Sequence, residues 1–132
     1  MATRPIDLVL DSFAWIEYFR GGVHSATVEK ALRASRCATP VHVLAELADK
    51  YSREGLSGLT DALDFVEIHT TVLPLTRPVA ERAGKTKADR RAVVSDFPLA
   101  DALIYEAAQE AGANLLTGDP HFHRMPDVRF LA

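Results

Sequence analysis

Short apolar runs alternate with helical patterns along the whole chain. Ile6–Leu10 has the length and composition of a buried strand, and after Asp11 the side chains of Phe13, Ile16 and Phe19 recur at helical spacing. The pattern therefore predicts a strand that ends at Asp11 and passes directly into a helix.

The same alternation predicts the remaining elements. Further strands are predicted at Arg36–Pro40, Ile68–Leu75, Ala113–Asp119 and Val128–Ala132. Further helices are predicted at Ala26–Ser35, Val41–Gly55, Leu56–Glu67, Arg77–Arg90 and Pro98–Gly112. Because strands separated by helices favour parallel pairing, we expect one α/β domain over residues 1–132. Its central, mainly parallel sheet should have about four to five strands, with helices on both faces.

Length and composition limit the classes of protein to consider. A chain of 132 residues can bury one proper core without disulfides, and its single cysteine, Cys37, fits a reducing cytoplasm. No apolar run approaches the length needed to span a membrane, so we expect a cytoplasmic protein without a membrane partner. The formal charge of −3 argues against a surface that coats nucleic acid, so RNA binding would require a local basic patch.

Four acidic residues are predicted near one edge of the sheet. Asp11 and Asp119 each follow a strand, and in open α/β sheets ligands bind outside the carboxyl ends of the strands. Glu46 lies about one and a half helical turns after the second strand, and Asp101 lies in the first turn of the helix before the fourth. Capping and turn formation would explain each aspartate alone. Glu46 is harder to explain in this way, because it sits among apolar residues in mid-helix.

The convergence of these acids predicts a cation site. Four neighbouring carboxylates would repel one another and resist ionisation unless a cation neutralised them. Carboxylate oxygens are the ligands that magnesium and manganese prefer, so Mg²⁺ or Mn²⁺ is the expected cofactor. Asp11 and Asp119 are the strongest candidates for direct contact, because each follows a rigid strand. Glu46 and Asp101 would be ligands directly or through water, and one of the four acids could instead be a general base.

Several other residues leave alternatives open. His121 and His123, just after Asp119, could belong to a zinc or manganese site, although histidines at this spacing are common in loops. Asp96 is predicted to cap or solvate a loop. A further set of aromatic residues predicts either a base-stacking platform or, with stronger support, core packing or a subunit interface: Trp15, Tyr18 and Phe19.

Four ordered segments carry a resemblance to a known family. LDSFAWIEYF, HVLAELADKY, PLADALIYEAA and LLTGDPHF, spread over Leu10–Phe122, resemble the PIN-domain nucleases and in particular the VapC toxins of bacterial toxin–antitoxin pairs. The resemblance places the four acids of this chain on the four acidic positions of the family. It implies a Mg²⁺- or Mn²⁺-dependent endoribonuclease, with Ser12 and Thr117 as hydroxyls that support the first and last acids. It also implies a homodimer bound by a cognate antitoxin protein.

A basic segment lies between the third predicted strand and Asp101. The residues predicted to contact RNA phosphates are Lys85, Lys87, Arg90 and Arg91. A solvated helix face would also explain this cluster, whereas a phosphate-binding surface explains why the positive charges are concentrated in an acidic chain.

Three other functions were weighed against the nuclease. A receiver-type signalling domain would need a lysine at the end of a late strand, which VRFLA lacks. A haloacid-dehalogenase-type phosphatase would need a second aspartate two residues after Asp11, where this chain has Phe13. The remaining alternative is a non-catalytic RNA- or protein-binding module on the same fold, which the presence of all four acids weakens.

Overall fold

Five short strands form the central sheet in the computed structural model, which describes residues 5–131. The strands are β1 (Leu8–Leu10), β2 (Cys37–Pro40), β3 (Thr71–Leu73), β4 (Asn114–Thr117) and β5 (Val128–Phe130). All neighbouring pairs are parallel, in the order β3-β2-β1-β4-β5. The predicted α/β class and parallel sheet are thereby confirmed.

Helices connect the strands at the positions that the sequence pattern predicted. They are α1 (Ser12–Phe19), α2 (Ser25–Ala34), α3 (Val41–Glu54), α4 (Leu59–His69), α5 (Arg77–Arg90) and α6 (Leu99–Glu110). The predicted strand at Ile68–Leu75 was too long, because Ile68 and His69 complete α4. Thr70 ends that helix, with its backbone N–H and its hydroxyl both donating to the carbonyl of Val66. The last predicted strand residue, Ala132, lies outside the described residues.

The order of the strands places a crevice between β1 and β4. The chain moves from β1 through β2 to β3 at one edge, then returns to β4 on the other side of β1. Right-handed crossovers require the connections to lie on opposite faces before and after that return. The helices pack accordingly, since α1 contacts α2 and α3 while α5 packs against α6. The reversal brings the carboxyl ends of β1 and β4 together, where ligands bind in sheets of this kind.

Apolar strands and one aromatic helix face build the core. Leu8, Val9 and Leu10 are all buried, as expected for a central parallel strand covered on both faces. Trp15 is fully buried, stacks on Phe19 and donates its indole N–H to Thr39 over 3.1 Å. Core packing is therefore confirmed for Trp15, which is inaccessible to a nucleobase. Within residues 5–131, no helix is both long and apolar enough to cross a bilayer.

Candidate metal centre

Asp11 begins α1 and also faces the neighbouring strand. Its Oδ1 accepts a hydrogen bond from the backbone N–H of Ala14 over 2.9 Å, which is the N-cap interaction of α1. Its Oδ2 accepts from the hydroxyl of Thr117, at the end of β4. Because the side chain is also buried, the capping role and the predicted position at the sheet edge belong to the same residue.

Asp119 is held by the turn that follows β4. The Thr117 hydroxyl oxygen accepts from the backbone N–H of Asp119 over 3.0 Å, and Asp119 Oδ1 accepts from the backbone N–H of His121 over 2.9 Å. This second bond caps a short 3-10 helix, Pro120–Phe122. The Thr117 hydroxyl therefore hydrogen-bonds both Asp11 and Asp119.

Asp101 and His121 complete a compact group with Asp119. Asp101 is buried in the first turn of α6, where His121 Nδ1 donates to its Oδ2 over 2.9 Å. His121 Nδ1 lies 3.5 Å from Asp119 Oδ1, and the other ring nitrogen lies 3.7 Å from an oxygen of exposed Asp96. Asp101, Asp119 and His121 each offer one ligand atom, and these atoms lie within 4.8 Å of one another.

Glu46 approaches the same edge from α3. The residue is half-buried, and its Oε1 has no hydrogen-bond partner within residues 5–131. Burial raises its pKa to about 7, and the negative charge of Asp101 adds to this, whereas the hydroxyl of Ser12 acts in the opposite direction. The support of the first acid by Ser12 stays a prediction.

Burial dominates the electrostatics of the site. It raises the pKa of Asp11 to about 7, although the hydrogen bonds from Thr117 and Ala14 favour the charged form. Burial raises the pKa of Asp101 as well, and the hydrogen bond from His121 only partly offsets it. For His121 itself, burial lowers the pKa, but the hydrogen bond to Asp101 and the neighbouring carboxylates outweigh it, so its pKa is raised.

The side chains present fit a divalent cation. Within the described part of the chain, none of the four acids forms an ion pair with a lysine or arginine, and His121 is the sole basic group paired with any of them. Unpaired buried carboxylates with raised pKa values are the surroundings that a bound cation stabilises. The donor set of two carboxylates and an imidazole suits Mn²⁺ and also accommodates Mg²⁺ through its oxygens.

The structure separates two histidines that the sequence left equivalent. His121 points into the acidic group, whereas the ring of His123 stacks on Phe130 with centroids 4.7 Å apart. The only sequence signal for His121 was its position two residues after Asp119. Asp119 caps the 3-10 helix that contains His121, and this short helix brings the imidazole back beside the Asp119 carboxylate. Asp96, predicted to solvate a loop, is exposed and faces the imidazole of His121.

The basic segment is divided between two kinds of contact. Lys87 donates from Nζ to the backbone carbonyl of Phe97 over 2.8 Å, and Arg90 donates from Nη2 to the carbonyls of His121 and His123. Both residues are half-buried, whereas Lys85 and Arg91 are exposed. Lys87 and Arg90 therefore hold the loops before Asp101 and after Asp119.

These features define an α/β domain with a buried acidic centre at the carboxyl edge of a parallel sheet. The sequence model of the PIN domain matches residues 8–128, and the chain therefore belongs to the PIN-domain family. A comparison with curated proteins finds no significant match.

Solved structures share the fold at low sequence identity. A toxin–antitoxin complex from Klebsiella pneumoniae superposes with a TM-score of 0.75 at 18% identity, covering 96% of this chain and 98% of that one. The VapBC2 complex of Rickettsia felis, bound to a promoter DNA fragment, gives 0.74 at 17% identity, covering 95% and 97%. VapC20 of Mycobacterium tuberculosis, described as a sarcin-ricin loop cleaving toxin, gives 0.73 at 19% identity, covering 93% and 99%.

Proposed function

We propose that this protein is a metal-dependent endoribonuclease that hydrolyses RNA phosphodiester bonds and acts as the toxin of a toxin–antitoxin pair. The observation that carries the proposal is the convergence of four acids at the crevice between β1 and β4, without a lysine or arginine partner in residues 5–131. Membership of the PIN family supports this proposal, as does the description of one structural neighbour as a sarcin-ricin loop cleaving toxin.

We propose that Asp101 and Asp119 hold the cation, with Asp11 as a ligand directly or through water and Glu46 contributing negative charge. His121 can join them once its Nδ1 loses the hydrogen that it donates to Asp101. A bound Mg²⁺ or Mn²⁺ would make an attacking water more acidic and stabilise charge on the phosphate oxygens. Asp11 is kept in place by the Ala14 amide and by the Thr117 hydroxyl. These contacts hold the first acid in one orientation before substrate arrives.

Glu46 is our candidate for the general base. Its buried Oε1 is free of hydrogen bonds within the described residues, and its pKa of about 7 suits proton transfer near neutral pH. In this role Oε1 would accept the proton of the attacking water, while the Ser12 hydroxyl stabilises the carboxylate.

The RNA backbone must be held beside this negative centre. We propose that exposed Lys85 and Arg91 contact phosphates of the substrate, because long-range attraction to RNA requires cations that are accessible to solvent. Lys87 and Arg90 belong to the same basic segment, and we propose that they act mainly by positioning the two loops that they hold.

We propose that the protein forms a homodimer that a cognate antitoxin inhibits. Trp15, one of the aromatic residues predicted for core packing or an interface, packs within the domain against Phe65. On α4, however, Ile68 remains 76% exposed. A symmetric pair would cover such a residue on both subunits at once. An antitoxin arginine placed against the acidic centre would supply the charge that the toxin itself lacks there. A monomer in sedimentation experiments at micromolar concentrations would exclude the dimer.

RNA cleavage with Mg²⁺, Mn²⁺ or a chelator tests the proposed activity. Wild type should cleave only with a cation, and Asp11→Asn should lose cleavage while it remains folded, since asparagine is also a good N-cap. Asp64→Asn is the matched control, because Asp64 is an exposed acid on α4. RNA binding without cation-dependent cleavage would instead favour the non-catalytic binding module.

A further inference from the structure

Phe13 is an aromatic side chain that the core does not use. It lies in the first turn of α1, two residues after Asp11, and 36% of it is exposed. Trp15, in the same helix, is fully buried. Part of the ring therefore stays accessible to solvent beside the buried carboxyl group of Asp11.

The Phe13 ring rests directly on the backbone of Gly118. A Cβ atom at Gly118 would lie 2.3 Å from Cε1 of Phe13 and 2.9 Å from both Cδ1 and Cζ. Gly118 does not have the left-handed backbone conformation that favours glycine. The close approach of the ring therefore explains why glycine stands at this position.

The contact between the Phe13 ring and Gly118 lies between the two turns that carry the first and last acids. Gly118 separates Thr117 from Asp119, while Phe13 follows Asp11 and Ser12. The ring consequently borders the acidic centre at the crevice between β1 and β4. A base that adjoins a phosphate at that centre is therefore a candidate neighbour for the ring.

We propose that Phe13, seated on Gly118, stacks against an unpaired nucleobase next to the phosphate held at the acidic centre. The inference rests on the proposed nuclease function and adds to it one side chain of this protein that contacts a base of the substrate. Aromatic side chains bind successive bases of single strands in this way, since every base offers a flat π face. Contact with a protein partner is the competing explanation, and it predicts no dependence on the base.

Equilibrium binding of short single-stranded RNA with Mn²⁺ and at low salt tests the proposal without cleavage, provided that every protein compared also carries the cleavage-inactive change Asp11→Asn. The probe carries 2-aminopurine at successive positions, because its fluorescence responds to stacking. Phe13→Ala should weaken binding about 5- to 100-fold and abolish the fluorescence change at one position, whereas Phe13→Tyr should retain both. Val23→Ala is the control, because Val23 is an apolar residue that is 88% exposed outside the site.

One altered RNA and one further protein variant separate base stacking from a general loss of protein structure. An RNA that lacks the base at the responsive position should bind wild type and Phe13→Ala equally. Gly118→Ala should displace the ring and weaken binding as Phe13→Ala does, with no added loss in the double variant.

Equal RNA affinity of wild type and Phe13→Ala, or absence of any RNA binding by wild type, would overturn the proposal. Cation-dependent cleavage is measured separately with wild type. If RNA is cleaved but Phe13→Ala binds it normally, the stacking proposal fails and the nuclease stands. If binding depends on Phe13 but RNA is not cleaved, stacking stands and the nuclease fails.

Discussion

Thr117 donates its hydroxyl hydrogen to Asp11 over 2.5 Å, although 106 positions separate the two residues in sequence. The same hydroxyl oxygen accepts from the backbone N–H of Asp119. Thr117 is fully buried, so no solvent can replace either bond. One side chain thus links the first and last acids of the proposed metal centre.

Replacing Thr117 by valine should weaken the centre, whereas serine should preserve it. Valine keeps the shape but leaves an oxygen of Asp11 and the amide of Asp119 without their partner, which should cost about 1–3 kcal/mol of unfolding free energy. Mn²⁺ affinity, measured by calorimetry, should fall with valine and stay near wild type with serine. Equal Mn²⁺ affinity of the valine variant and wild type would remove this positioning role.

The basic segment should separate into two functional pairs. Lys87→Ala and Arg90→Ala release the carbonyls of Phe97 and of His121 and His123, so they should lower Mn²⁺ affinity about 10- to 100-fold. Lys85→Ala and Arg91→Ala are the matched controls on the same segment and should leave Mn²⁺ affinity unchanged. Calorimetric titration of the four variants makes the comparison.

RNA affinity provides the opposite comparison for the same four variants. Lys85→Ala and Arg91→Ala should flatten the salt dependence of RNA binding. Each substitution removes a phosphate contact, so fewer counterions are released when the RNA binds. Lys87→Met keeps the aliphatic stem of Lys87 if its alanine variant folds poorly. If the Lys87 and Arg90 variants lose RNA affinity but keep their Mn²⁺ affinity, these two residues bind RNA phosphates, as proposed for Lys85 and Arg91, and do not position the loops.

Glu46→Gln and Asp119→Asn should differ in which property they lose. If Glu46 is the general base, its amide should reduce the single-turnover cleavage rate about 100-fold or more while Mn²⁺ affinity changes little. Asp119→Asn should reduce Mn²⁺ affinity, and high Mn²⁺ should restore part of its rate. A Glu46→Gln variant that cleaves at the wild-type rate under saturating Mn²⁺ would assign the proton transfer to another group.

The cation-free protein should be more stable at pH 5 than at pH 8. The pKa of Asp11 is about 7 in the folded chain against an ordinary 3.8, so the folded state binds this proton more tightly than the unfolded state. The stability that the bound proton contributes is complete below the ordinary pKa and is lost as the pH rises to about 7. The raised pKa of His121 acts in the same direction. Urea unfolding in chelator should show a decrease on the order of 2 kcal/mol between these pH values.

Asp11→Asn is the control for the pH experiment. Asparagine does not titrate and can keep the N-cap of α1, so the variant should show a smaller pH dependence and exceed wild type in stability at pH 8. If the unfolding free energy of wild type rose from pH 5 to pH 8, burial of the Asp11 carboxylate without a neighbouring cation would be contradicted.

Sequence alone determined the order of elements and the edge at which the acids collect. Both follow from local patterns, because strand and helix periodicity are properties of neighbouring residues and parallel strands end on the same side. The sequence therefore predicts that Asp11 and Asp119 lie close together. The boundary between α4 and β3 was predicted wrongly, because Ile68 and His69 belong to the helix. The helix ends at Thr70, whose hydroxyl donates a hydrogen bond to the carbonyl of Val66.

Only the tertiary structure decided which side chains meet. His121 reaches Asp101 while His123 stacks on Phe130, and Arg90 turns from solvent to the carbonyls of another loop. Local periodicity carries no information about such contacts, because packing sets the approach of the segments that they join, which lie 20 or more positions apart for Asp101 with His121 and for Arg90 with His123. The sequence therefore predicted where the acids lie, whereas the approach of His121 to Asp101 and the contacts of Arg90 required the fold.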